Sequence, residues 1–127
     1  MQLTPVFLVA AGGAAGAVCR YLSTSFVSAR FGSNFPYGTL TVNILGSFLI
    51  GLFTALTCHN ADPHLKLLLV TGFLGGFTTF STFSMDAVNL YGTGDYMKTV
   101  LYVAGSLLAG ITAAVAGMAL GSFLRGN

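Results

Sequence analysis

Residues 65–91 read LKLLLVTGFLGGFTTFSTFSMDAVNLY, with charge only at Lys66 and Asp86. A helix crosses a bilayer with about 20 apolar residues, so the run is long enough to span. It is a poor continuous helix, however. Gly72, Gly75 and Gly76 disfavour helix, and Thr78, Thr79, Ser81 and Thr82 are β-branched or bond back to nearby carbonyls, which predicts a break between Gly75 and Thr79. Backbone that leaves the helix at membrane depth is tolerated only where it is buried in protein or lines a wet cavity. Freed carbonyls there can coordinate a cation, and freed N–H groups can face an anion. Phe77, Phe80 and Phe83 follow one another at helical spacing and are expected to keep roughly one face. Such a stripe is ordinarily core or lipid-facing; its interleaving with hydroxyls is the unusual feature.

Around this stretch lie three more apolar segments, at 5–27, 37–58 and 96–124, joined by SARFGSNFP, HNADPH and GTGD. Of the 127 residues, 54% are hydrophobic and only 6% charged, against about a quarter charged in a soluble domain. A water-soluble protein is excluded. The expected fold is an all-α membrane protein, a single integral membrane domain over 1–127 with four transmembrane helices per chain and no room for an energy-coupling domain. Pro36 and Pro63 stand where a missing N–H costs a starting helix little. Tyr21, Tyr37, Tyr91 and Tyr96 fall toward the span ends, as an interfacial aromatic belt requires. The opening MQLTPVFLVAAGG has no basic n-region and is expected to stay in the mature protein.

Net charge is +2, but the five basic residues are isolated, which excludes a nucleic-acid surface. Cys19 and Cys58 read as small core hydrophobes, and His59, Asp62 and His64 as a solvated loop. Asp86 is the only intramembrane carboxylate and has no partnered histidine or nucleophile, so the chain is not read as an enzyme. In four spans, Lys66 and Arg125 fall on one side of the membrane, and Arg30 and Lys98 on the other. Loop charge sets orientation, so this tie predicts insertion in both directions and makes an antiparallel homodimer plausible. The pairs Gly12 with Gly16, Ser47 with Gly51, and Gly117 with Gly121 allow close backbone approach, and the excess of glycine favours an oligomer built through tight helix contacts.

Two polar tracks complete the pattern. Thr39, Asn43, Ser47 and Gly51 recur every four residues in the second span. An amide such as that of Asn43 must find a partner across a helix interface or face a polar cavity. In the fourth span Tyr102, Ser106 and Gly110 share a face, with Thr99 a turn earlier. Phenylalanine can serve an anion through the positive edge of its ring. Ring edges, amide N–H groups and hydroxyls could hold a dehydrated anion without the fixed charge that would trap it.

The strings GGAAGAVCRY, PYGTLTVNILGSFLIG and GFLGGFTTFSTFS, with the Tyr102/Ser106 track, resemble the CrcB or Fluc family of small fluoride channels over essentially the whole chain. The resemblance implies a dual-topology antiparallel dimer with two fluoride pores, a structural Na⁺ at the dimer centre, and residence in the plasma (cell inner) membrane. It also implies the site residues. Phe80 and Phe83 match the ring-edge phenylalanines, Asn43 the pore amide, Ser81 and Thr82 the hydroxyls of the broken helix, and Tyr102 and Ser106 the track. Gly75 and Thr78 fall where backbone carbonyls bind Na⁺, Arg20 matches an arginine that lends positive potential to a vestibule, and Asp86 stands where glutamate is a familiar alternative. The implied function is passive export of cytoplasmic fluoride, which protects the cell. Two other readings compete. A small multidrug or guanidinium exchanger would need a carboxylate in the first span, which has none; a structural subunit would leave the tracks and the break unexplained.

Overall fold

The computed structural model describes residues 2–126, and among these every regular element is helical. Helix α1 covers Leu3–Phe31 and ends at Gly32, whose φ of 83° suits glycine alone. Pro36 directly precedes α2, Tyr37–Thr57. A single turn, α3 (Pro63–Lys66), is capped by the Asp62 carboxylate, which accepts from the His64 N–H at 2.9 Å. It leads into a π-helical stretch, Leu67–Leu74, and the short α4, Gly75–Phe77. Thr78 and Thr79 are extended, after which α5 (Phe80–Gly92) restarts with the Thr79 hydroxyl accepting from the Thr82 N–H. The last helix, α6 (Tyr96–Arg125), is capped by Asp95.

Four segments are long and apolar enough to cross a membrane: Leu3–Phe31, Tyr37–Thr57, Pro63–Gly92 and Tyr96–Arg125. The four-span reading therefore holds, with two adjustments. Helix α1 runs further than the expected 5–27, so Arg30 sits in its last turn. The break occupies only Thr78 and Thr79, because the glycines before it remain helical.

Glycine explains the packing. Helix α2 lies along α6, where a Cβ on Gly51 would strike the Ala114 carbonyl and one on Gly117 the Phe48 carbonyl. Helix α1 lies along the π-helical stretch, with Gly12 and Gly16 set against the backbone of Leu68 and Phe73. A Cβ on Gly76 would stand 2.5 Å from the Gly13 carbonyl oxygen. Gly12, Gly16, Gly51, Gly117 and Gly121 thus bring helices together within one chain. Gly75 and Gly105 are different, since neither has a neighbour within 4 Å to meet an added Cβ.

The π-helical turn was not legible in the sequence, which carries only Gly72 to mark it. Its wider turn allows Gly72 and Gly76 both to rest on α1. Two further expectations are corrected. Cys58 is exposed, not core, because α2 ends one residue before it; its sulfur lies against the Arg125 guanidinium and 3.0 Å from His59 Nδ1. Arg125 also donates to the Ala55 carbonyl at 2.7 Å, tying the end of α6 to the last turn of α2. Cys19 is half-buried.

Candidate functional site in the broken third span

The extended residues at the break need new hydrogen-bond partners, and Asn43 supplies them. Its Nδ2 donates to the Thr79 carbonyl at 2.9 Å, and the Thr79 N–H donates to its Oδ1 at 2.8 Å. One amide satisfies both backbone groups of the same residue, as β-strand pairing would. Thr79 is 8% exposed, so bulk water reaches these groups poorly. Asn43 keeps one further N–H on Nδ2 free to donate.

This clamp leaves carbonyls open. In an unbroken helix the Gly75 carbonyl would accept from the Thr79 N–H, which Asn43 has taken. The Thr78 carbonyl receives only a long contact, 3.4 Å, from Arg20 Nη1. The Thr78 hydroxyl bonds back to the Leu74 carbonyl at 3.0 Å. Asn43, Ser47, Thr71, Gly75, Thr78 and Phe80 border one cavity of about 560 Å³.

On the far side of the break the hydroxyls cluster. Thr79 Oγ1 donates to Thr82 Oγ1 at 3.1 Å and lies 3.4 Å from Ser81 Oγ. Ser81 and Thr82 are exposed at the chain surface. Phe80 is 76% exposed, its ring centroid 5.6 Å from that of Phe83, which lies 5.3 Å from that of Tyr102. Phe77 does not share their face. It is buried and stacked on Phe73 at 5.9 Å, because the extended residues at the break turn α5 away from α4. The expected three-ring stripe is therefore a pair.

Asp86 is the site residue that sequence reasoning left outside the pathway. Its Oδ2 accepts from the Thr39 hydroxyl at 2.7 Å and from the Tyr102 hydroxyl at 3.2 Å. Thr39 and Tyr102 are both buried, and the three side chains tie α2, α5 and α6 together. The signal was available: Thr39 begins the second-span track, Tyr102 begins the fourth-span track, and Asp86 is the lone carboxylate in the span between them. The Ser106 Oγ, one turn beyond Tyr102, is buried with no hydrogen-bond partner. Thr99 does not join this track, since its hydroxyl donates to the Asp95 carbonyl at 3.1 Å.

Beyond Asp86, a second cavity of about 560 Å³ opens at the end of the bundle, lined by Ser33, Asn34, Asn89, Thr93, Asp95 and Lys98 among others. Asp95 accepts from the Lys98 N–H at 3.1 Å and its Oδ2 lies 3.2 Å from Lys98 Nζ. The backbone bond first, and the ammonium second, hold the Asp95 carboxyl below the ordinary value of 3.8.

Residues 7–118 match the family described as CrcB-like protein, Camphor Resistance (CrcB). The chain belongs to this family. Among relatives of this chain, a protein of Agrobacterium fabrum strain C58 named fluoride-specific ion channel FluC is 52% identical over 118 residues, 91% of this chain and 94% of that protein. Proteins of the same name from Rhizobium etli strain CIAT 652 and Hydrogenobaculum sp. strain Y04AAS1 are 47% and 43% identical. The first covers 90% of this chain and 93% of its own length, the second 93% and 94%. The relatives' names describe channels rather than enzymes.

Proposed function

We propose that the chain is a fluoride-selective channel of the plasma membrane that exports cytoplasmic F⁻ by passive electrodiffusion. The observation that carries this reading is the 52% identity, across nearly all of both chains, to a protein named for that activity. The site's chemistry agrees with it. Phe80 and Phe83 offer ring edges, Asn43 one free N–H, and Ser81, Thr82, Tyr102 and Ser106 hydroxyls, so a dehydrated anion meets neutral donors. Arg20 adds positive charge near the break. Undissociated HF enters the cell and ionises in the less acidic cytoplasm, and the inside-negative potential then drives F⁻ out at about 2.3 kcal/mol per charge per 100 mV.

The working unit is an antiparallel dual-topology homodimer with two pores. Its support is the balanced loop charge together with the surface the monomer leaves uncovered: Phe80, Ser81, Thr82, Gly75 and Gly105 all face outward, and only 11% of the windows of the first and last spans is buried. A structural Na⁺ fits the donor set at the break. Gly75 and Thr78 of each subunit would hold it through carbonyl oxygens that lack strong helical partners, and it would supply fixed positive charge between the two breaks.

Purified protein in liposomes is expected to pass F⁻ but not Cl⁻ under voltage alone. Phe80→Ile is expected to suppress that flux while the dimer persists on size exclusion. Flux that requires a proton gradient would instead support the small exchanger, which α1, carrying Arg20 and Arg30 but no carboxylate, disfavours.

A further inference from the structure

Of the charged side chains that line the cavity beyond Asp86, two are carboxylates, Asp86 and Asp95, and one is an ammonium, Lys98. An anion path would be expected to avoid this balance. Asp86 sits at the inner end, with Oδ2 engaged by Thr39 and Tyr102. Asp95 is anchored at the outer end, since its Oδ1 accepts from the Lys98 N–H at 3.1 Å. Lys98 is not anchored in this way. Its ammonium touches only the Asp95 carboxylate, at 3.2 Å, and the two side chains are 47% and 40% exposed. So exposed a pair is held weakly and exchanges readily with water or another anion.

We propose that Lys98 recruits the permeating anion into this vestibule and that Asp95 attenuates the recruitment by competing for the same ammonium. Lys98 is then a positioning residue for entry rather than part of the conducting site. The inference rests on the fluoride-channel reading. Fluoride approaching from this side meets a site whose single cation is partly cancelled by the Asp95 carboxylate. One unit charge at about 10 Å in water changes the local anion concentration roughly twofold at low salt. At about 1 M salt the screening length falls to ~3 Å and the effect disappears.

The two substitutions that separate these roles leave the helix cap intact. Asparagine caps a helix as well as aspartate does, so Asp95→Asn keeps the bond to the Lys98 N–H while removing the charge. Lys98→Gln keeps its backbone N–H. Each variant, with wild type and Lys66→Gln, is reconstituted in zwitterionic phosphatidylcholine vesicles, and initial F⁻ flux is read at subsaturating fluoride. In about 10 mM salt, Asp95→Asn is expected to raise flux roughly twofold and Lys98→Gln to lower it by a similar factor, while in about 1 M salt both match wild type. Lys66 does not line this cavity, and its substitution is expected to have no effect. Wild type without voltage-driven F⁻ flux would overturn the channel reading itself. With wild type conducting, unchanged flux in both variants at low salt, a change that survives 1 M salt, or an equal change in Lys66→Gln would overturn the recruiting role.

Discussion

Replacing Asn43 with alanine removes both hydrogen bonds that hold the break, the 2.9 Å bond to the Thr79 carbonyl and the 2.8 Å bond from the Thr79 N–H. Thr79 is 8% exposed, and the extended conformation of Thr78 and Thr79 offers no helical alternative. Each buried backbone group left without a partner costs about 1–3 kcal/mol, so the pair costs about 2–6 kcal/mol. Water entering the adjoining cavity would satisfy the carbonyl in part, which places the expected loss near 3 kcal/mol. Asn43→Asp should lose at least as much, since the carboxylate still accepts from the Thr79 N–H but sets a second oxygen against the Thr79 carbonyl and buries a charge. The measurement is reversible unfolding in detergent micelles, with amide exchange at Thr79 as the local readout. An Asn43→Ala protein within about 0.5 kcal/mol of wild type, with Thr79 still protected, would show that Asn43 does not hold the break.

Three further outcomes follow from the same geometry. Gly76→Ala should destabilise the chain by several kcal/mol, about 3 or more, because its methyl would stand 2.5 Å from the Gly13 carbonyl oxygen, whereas Gly105→Ala should leave monomer folding unchanged and shift only the monomer–dimer equilibrium seen by ultracentrifugation. Asp86→Asn keeps an acceptor for Thr39 and Tyr102 and should retain most stability, whereas Asp86→Ala strands two buried hydroxyls and should lower the unfolding free energy by about 2 kcal/mol. Because the folded Asp95 carboxyl is held below 3.8, its stabilising contribution is complete above that value and is lost as pH falls through the depressed folded value. Protection of the Lys98 amide, measured against its intrinsic exchange rate at each pH, should therefore persist down to pH 3.8 and fall only below it.

How far the chain could be read in advance depends on the kind of signal. The four spans were legible because apolar length is a property of consecutive residues. The break was legible because Thr78 and Thr79 follow three glycines in a short window, though the helix outlasted Gly75 and Gly76, of which Gly76 rests on α1. Local spacing misled where a break intervened: Phe77 has the right offset from Phe80 but lies on the other side of two extended residues and faces the core. For the glycine pairs it was silent on the partner, because a small-residue motif specifies close approach without naming the helix that approaches. Cys58 read as core only because the end of α2 could not be placed to the residue.

The sequence by itself determined that this is a membrane protein of four helical spans with a broken third span, since hydrocarbon admits only long apolar helices and since glycine and β-branched residues weaken a helix wherever they cluster. The tertiary structure decided how the break is held and what it offers. Asn43 is separated from Thr79 by 36 positions and Thr39 from Asp86 by 47, so no local pattern could announce that one amide would clamp both backbone groups of one residue or that one carboxylate would join three helices. Those pairings exist because buried polar groups in a water-poor interior take partners wherever the fold brings them within reach.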